Sequence, residues 1–224
     1  MTNMNNRIIT VANMKGGTGK SLVSALLCQY LHEKDIPVAG LDADIQQTFY
    51  DHRQRDLKQN PDLQPQWELE ALDISDPDSV KPVLEELKKV PSCIVIDCPG
   101  NISDIALQDL YANSDITIVP FQYDFDSLGA TAKFAKVFRL VSKASMFFVP
   151  NRIVASDERR DEIQEAREDA YKMLQEYGYI TPRIKQSVHL KCYNTLNPLD
   201  WQQRGLVKFA FEPIVESLTA KDNG

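Results

Sequence analysis

The chain has 224 residues, 43% of them hydrophobic and 25% charged, which supplies a full globular core and excludes a disordered chain. Its 32 acidic and 25 basic side chains leave a formal charge of −7, which argues against a strongly basic nucleic-acid binder but leaves room for a local basic patch. No 18-residue apolar stretch is long enough to span a bilayer, and the polar start from Met1 to Arg7 has no secretory core, so a cytoplasmic protein is expected.

In chain order, an apolar run over 8–12 reads as a buried strand. After a glycine-rich turn, Leu22, Val23, Leu26, Leu27, Tyr30 and Leu31 recur at helical spacing. That helix should stop near Lys34, before Asp35 and Pro37. A short strand over 38–41 runs into Asp42-Ala-Asp-Ile-Gln-Gln47. Residues 49–58 are polar and helical, and their basic side chains Arg53, Arg55 and Lys58 read as solvated surface. There follow a strand over 67–72, a helix from Asp76 to Val90, a buried strand over 92–97 and a helix over 102–111. Beyond these come a strand over 115–119, a helix over 127–141 and a strand over 144–149. Residues 157–177 read as one long charged helix stopped by Gly178, and a last helix covers 205–218. Strands alternating with helix-length segments predict an α/β fold: one domain over 1–224 with a mostly parallel, twisted sheet and helices on both faces. Cys28, Cys93, Cys98 and Cys192 form no C-x-x-C pair. With the scattered His32, His52 and His189 they show no metal-ligand spacing, so free thiols are expected.

Three stretches carry chemistry. Strand, glycine loop and helix in succession at Lys15-Gly-Gly-Thr-Gly-Lys-Ser21 are the context of a phosphate loop. Gly16, Gly17, Thr18 and Gly19 let backbone N–H groups curl inward around a polyanion, Lys20 reaches the β- and γ-phosphates, and the Ser21 hydroxyl suits Mg²⁺. Asp97 ends the buried strand over 92–97 just before Cys98-Pro-Gly100, where a carboxylate holds Mg²⁺ through water. Cys98 reads as a small buried residue. Asp42 and Asp44 after the strand over 38–41 suit either metal and water positioning or the capping of the next helix.

The loop departs from the general G-x-x-x-x-G-K-S/T pattern by placing Met14 where glycine is usual and adding Lys15. Lys15 to Ser21 matches K-G-G-x-G-K-S/T at every defined position. Here the chain resembles the deviant Walker A ATPases of the ParA/MinD group, a branch of the P-loop NTPases, closest to the small ParA-type partition proteins. The resemblance implies ATP and Mg²⁺ as ligands and an ATP-sandwich homodimer in which Lys15 contacts the partner subunit's nucleotide. It implies slow ATP hydrolysis, stimulated by a ParB-like or other cargo protein. Asp42-Ala-Asp-Ile-Gln46 follows the family's D-x-D-P-Q with Ile45 for proline. By that resemblance Asp44 positions the hydrolytic water and Asp42 lies near the metal. Asn151, after the strand over 144–149, stands where relatives recognise adenine, although an asparagine that caps its loop reads equally well. Lys185, Lys191, Arg204 and Lys208 stand where DNA-binding relatives contact phosphates.

The function so implied is segregation or positioning of DNA or other cargo, with nonspecific binding to duplex DNA. An alternative is a membrane-cycling ATPase like MinD. It needs a basic amphipathic C-terminal helix, whereas the tail over 214–224 sets Glu216 and Asp222 against Lys221, so no membrane partner is expected. A dimerisation switch without DNA is a further alternative. Lys15 together with Asp42 and Asp44 argues against a ligase of the dethiobiotin synthetase kind. The chain also does not visibly supply the cluster cysteines of the nitrogenase iron protein, which shares the loop.

Overall fold

Uninterrupted apolar runs make strands that are covered on both sides, and the chain builds a parallel sheet from them. A computed structural model of the protein describes residues 6–100 and 104–220. The strands are β1 (Arg7–Val11), β2 (Val38–Asp42), β3 (Glu68–Ala71), β4 (Cys93–Asp97), β5 (Ile116–Phe121), β6 (Ser145–Pro150) and β7 (Gly178–Ile180). They form one seven-stranded sheet in the order β3-β2-β4-β1-β5-β6-β7, parallel at every pairing. The helices are α1 (Lys20–Glu33), α2 (Thr48–Gln59), α3 (Pro77–Leu87), α4 (Ile105–Ala112), α5 (Phe125–Val141), α6 (Asp161–Leu174), the single turn α7 (Val188–Lys191) and α8 (Trp201–Thr219).

The two-residue period of a strand divides the apolar side chains between two cores. Ile9, Val11, Val95, Ile118 and Val149 face one layer and pack with α1 and α8 through Leu27, Leu31, Phe211 and Ile214. Ile8, Ile94, Ile96, Val119 and Phe148 face the other and pack with α4, α5 and α6 through Leu107, Phe134, Phe138 and Leu174. The expected helices on both faces are therefore present. Parallel register also sets the site: Val11, Asp97 and Asp42 end adjacent strands in the pairs Val11–Asp97 and Asp42–Asp97. The loop after β1 thus opens beside Asp97, with Asp42 one strand further along the same edge.

The structure corrects four expectations. The long helix over 157–177 is shorter at both ends. Residues 154–160 make turns, closed by Asp157 N–H on the Val154 carbonyl and Arg160 N–H on the Asp157 carbonyl. After Leu174 the chain turns into β7, where Gly178 is a strand residue: a Cβ there would overlap the Met146 carbonyl oxygen of β6. The last helix begins at Trp201 rather than 205, behind a capping box. Asp200 accepts from the Gln203 N–H at 2.8 Å, and the Gln203 side chain accepts from the Asp200 N–H at 3.0 Å. The basic face read on α2 is split: Arg55 and Lys58 are exposed, but Arg53 is buried at 2% exposure. The start of the helix expected at 102 lies outside the described residues, and α4 runs from Ile105.

Candidate functional site

The loop after β1 winds over the end of the sheet and delivers Lys20 and Ser21 into the first turn of α1. Gly17 and Gly19 take φ of 78° and 91°, the left-handed region where a Cβ is strained. A Cβ on Gly19 would also stand 2.5 Å from Asn151 Nδ2. The loop is tethered at both sides. Asn13, 1% exposed, donates to the Pro120 carbonyl at 2.9 Å and to Thr131 Oγ1 at 2.8 Å, and its Oδ1 accepts the Lys15 N–H at 3.2 Å. On the far side Asn151 Nδ2 donates to the Thr18 carbonyl at 2.8 Å, and Arg152 donates to the Gly17 carbonyl at 2.7 Å. Asn13 and Arg152 escaped the sequence reading. The only signal for Arg152 is its place after Asn151, and Arg152 takes a left-handed φ of 58° to fold its side chain back over the loop.

Above this loop lies a cleft of about 410 Å³, lined by Gly16, Gly17, Gly19, Lys20 and Ser21 with Asp44, Gln46, Thr48, Gly100, Arg152 and Tyr193. Its size falls in the range of small-ligand sites. The structure brings together Lys20, Ser21 and Asp44 in the lining of this one cleft. Lys15 belongs to the same loop but is not part of the cleft's lining.

The two carboxylates at the strand ends differ in their partners. Asp42 Oδ1 accepts the Asp44 N–H at 3.0 Å, and Oδ2 accepts the Phe49 and Tyr50 N–H groups at 2.9 Å each. It ties the 43–47 loop to the first turn of α2, the capping role that the sequence left open beside a metal role. Asp97, buried at 1% exposure, accepts Ser24 Oγ on Oδ1 at 3.1 Å, while its buried Oδ2 has no partner among the described residues. Burial pushes the Asp97 carboxyl up to about 7, and the like charge of Asp42 adds to the rise against the pull of Ser21, Ser24 and Lys20. A buried carboxylate oxygen without a donor, beside a serine hydroxyl at a polyanion loop, is the donor set Mg²⁺ takes, so the residues present fit the metal. Asp44 accepts the Gln46 N–H at 3.0 Å, and Ile45 beside it is 90% exposed.

The four basic residues read as DNA contacts do not share one cleft. Lys185 and Lys191 line a second, smaller cleft of about 260 Å³ with Leu22, Gln122, Asn151 and Arg152. Arg204 and Lys208 are on α8, and Arg204 is ion-paired with Glu33 at 2.8 Å. The cysteines are free; Cys28, Cys93 and Cys98 are buried and Cys192 is exposed.

A parallel sheet with a glycine loop after its central strand, an adjacent carboxylate and an anion-sized cleft at the strands' carboxyl ends defines a P-loop nucleotide-binding protein. The family model for the CobQ/CobB/MinD/ParA nucleotide binding domain matches residues 9–191, and the chain belongs to that family, with a ParA/MinD-type deviant Walker A loop. Among solved structures it is similar to apo McdA of Cyanothece, with 16% identity and a TM-score of 0.76 over 95% of this chain and 99% of that one. It is similar to a putative plasmid partition protein of Borrelia burgdorferi bound to AMPPNP, with 18% identity and a TM-score of 0.74 over 95% and 100%. It is also similar to the MinC:MinD cell division protein complex of Aquifex aeolicus, with 19% identity and a TM-score of 0.73 over 94% and 96%. Among curated proteins no sequence matches the chain. No helix among the described residues is long and apolar enough to cross a membrane.

Proposed function

We propose that this chain is a ParA-type ATPase that closes into a homodimer on Mg²⁺ and ATP, binds duplex DNA nonspecifically through phosphates, and positions DNA or other cargo. The observation that carries the proposal is the division of the two loop lysines. Lys20 lines its own cleft, whereas Lys15 does not, as fits a lysine that serves a neighbouring subunit. Three large apolar side chains support a dimer at the same edge: Ile45, Ile105 and Phe125 are 90%, 65% and 92% exposed and follow the carboxyl ends of β2, β4 and β5.

In this reading the loop N–H groups and Lys20 hold the β- and γ-phosphates, and Ser21 and Asp97 hold the metal. Asp42 fixes the loop that carries Asp44, and Asp44 orients water for in-line attack. When bound, Mg²⁺ neutralises charge on the β- and γ-phosphates. Asn151 stands to recognise adenine by exchanging its contact with the Thr18 carbonyl for one with the base. Among the four basic candidates, Lys185, Lys191 and Lys208 are open to DNA, and Arg204 contributes once its pair with Glu33 breaks. A partner protein that speeds hydrolysis would reset the cycle.

The test is cosedimentation of Asp44→Ala with ATP and Mg²⁺, against duplex DNA and against anionic liposomes, with Asp44→Ala/Lys15→Ala as the monomeric control. DNA binding that vanishes with Lys15 supports the proposal. Binding to liposomes alone, or to neither with dimerisation intact, overturns the DNA assignment in favour of a membrane-cycling ATPase or a plain dimerisation switch.

A further inference from the structure

The helix α2 begins with residues at the cleft and ends in an unexpected buried polar cluster. Arg53 donates from Nε to Thr195 Oγ1 at 3.0 Å, from one terminal nitrogen to the Trp67 carbonyl at 2.9 Å and from the other to the Thr195 carbonyl at 3.2 Å. Its guanidinium lies over the Trp67 ring, 4.1 Å from the centroid. Asp56, 4% exposed, accepts on Oδ2 from both the Thr195 N–H at 2.7 Å and the Thr195 hydroxyl at 2.8 Å. Gln29 of α1 donates to the carbonyls of Asn194 and Asn197 on the same segment. Burying a guanidinium and a carboxylate is costly unless every lone pair and proton is engaged. Here nearly all of that hydrogen bonding converges on residues 193–197, between α7 and α8.

This segment presents Tyr193 to the cleft. The Tyr193 ring packs against His52 of α2, tilted by 41° with centroids 4.1 Å apart. Its other side joins Lys20, Ser21, Leu22, Gln46 and Thr48 in the cleft wall. Among the described residues nothing accepts or donates at its hydroxyl. The residue is 8% exposed and lines the cleft, and its hydroxyl is not sealed in the core. A hydroxyl without a protein partner on a tyrosine at the wall of a site built for a polyanion has an oxygen of the ligand as its natural acceptor. The contacts also close a ring. Asp42 holds the first turn of α2, α2 holds Thr195, and Thr195 places Tyr193 back at the cleft.

We propose that Tyr193 donates its hydroxyl to a phosphate or sugar oxygen of the bound nucleotide, that the Arg53–Asp56–Thr195 cluster is the strut that holds it there, and that filling the cleft is therefore felt at Trp67. The inference rests on the nucleotide-switch reading above and assigns it a contact outside the phosphate loop.

Titration calorimetry with Mg-ADP tests it, on wild type, Tyr193→Phe, Thr195→Val and the double variant. Tyr193→Phe keeps the ring on His52, so its melting temperature should match wild type while Mg-ADP affinity falls about tenfold, the worth of one hydrogen bond to a charged group. Thr195→Val should weaken binding similarly, and the double variant should bind no more weakly than the weaker single variant, because both changes remove one contact. Thr195→Ser, which keeps the hydroxyl, should restore binding. In a Trp201→Phe background, which leaves Trp67 as the sole tryptophan, Mg-ADP should shift the emission, and Tyr193→Phe should abolish the shift at saturating ligand. If Thr195→Val does not fold, Tyr193→Phe and the Trp67 emission decide alone. Wild-type affinity in Tyr193→Phe, additive losses in the double variant, or a Trp67 signal unchanged by Tyr193→Phe would each overturn the inference. Wild type that does not bind Mg-ADP would instead overturn the nucleotide reading beneath it.

Discussion

Replacing Arg53 by methionine keeps the aliphatic stem and removes only the guanidinium. Three hydrogen bonds disappear, leaving the Trp67 and Thr195 carbonyls without these donors and removing the positive charge near Asp56. Each buried acceptor so abandoned costs about 1–3 kcal/mol. The loss is offset in part because the guanidinium no longer pays its own desolvation, the burial that also lowers the Arg53 pKa. Removing one member of a buried charged cluster costs about 3–5 kcal/mol net. For a chain of this size each kcal/mol moves the melting temperature by roughly 2–4 °C, so Arg53→Met should lower it by roughly 6–20 °C. Arg55→Met, on the exposed face two residues on, should stay within about 0.5 kcal/mol of wild type. Thermal and urea denaturation followed by far-ultraviolet circular dichroism, without nucleotide or metal, measure the melting temperature and the free energy of both variants. An Arg53→Met variant as stable as Arg55→Met would show that the cluster is not a structural strut.

Gly178→Ala forces a Cβ onto the Met146 carbonyl and should cost roughly 1–3 kcal/mol in the same assay; unchanged stability would mean that β7 does not pack on β6 as described. In metal-free protein the Asp97 carboxyl ionises near 7 when folded against 3.8 when unfolded. The folded state therefore binds the extra proton between those values, and this stabilisation is complete below about pH 4 and lost as pH rises through 7. Asp97→Asn should remove that slope, giving a variant more stable than wild type at pH 8 by up to about 4 kcal/mol; parallel pH profiles would refute the assignment. Among the four cysteines, Cys192 alone should react quickly with a disulfide reagent, and Cys28, Cys93 and Cys98 only on unfolding; two or more fast thiols would contradict the packing.

The central strands were legible because parallel strands covered on both faces are continuous apolar runs, and the phosphate loop because its glycines and Lys20 occupy fixed offsets. β7 was not: its three residues are too few for a periodic signal, and Gly178 reads as a helix stop in sequence although it is a close-approach position in space. The capping box at Asp200 and Gln203 is legible in the sequence, three residues apart at the true start of the last helix. Arg53 could not be placed from the sequence. Its polar helix shows no apolar stripe to distinguish buried from exposed basic residues, and its partner Thr195 is 142 positions away. Asp42 was ambiguous for a different reason. A carboxylate at the end of a strand can serve a metal or the next helix, and only the three N–H groups on its oxygens show the second use. Lys185, Lys191, Arg204 and Lys208 were read as DNA contacts because they stand where DNA-binding relatives contact phosphates, and that resemblance carries no sign that Arg204 pairs with Glu33.

We propose that one cleft binds Mg-ATP through Lys20 and hydrolyses it through Asp44. The most direct measurement is nucleotide binding and phosphate release for wild type, Lys20→Ala and Asp44→Ala, side by side. Wild type should bind and slowly hydrolyse ATP, Lys20→Ala should do neither, and Asp44→Ala should bind with affinity near wild type but release almost no phosphate. Binding by Lys20→Ala equal to wild type, or hydrolysis undiminished in Asp44→Ala, would contradict it.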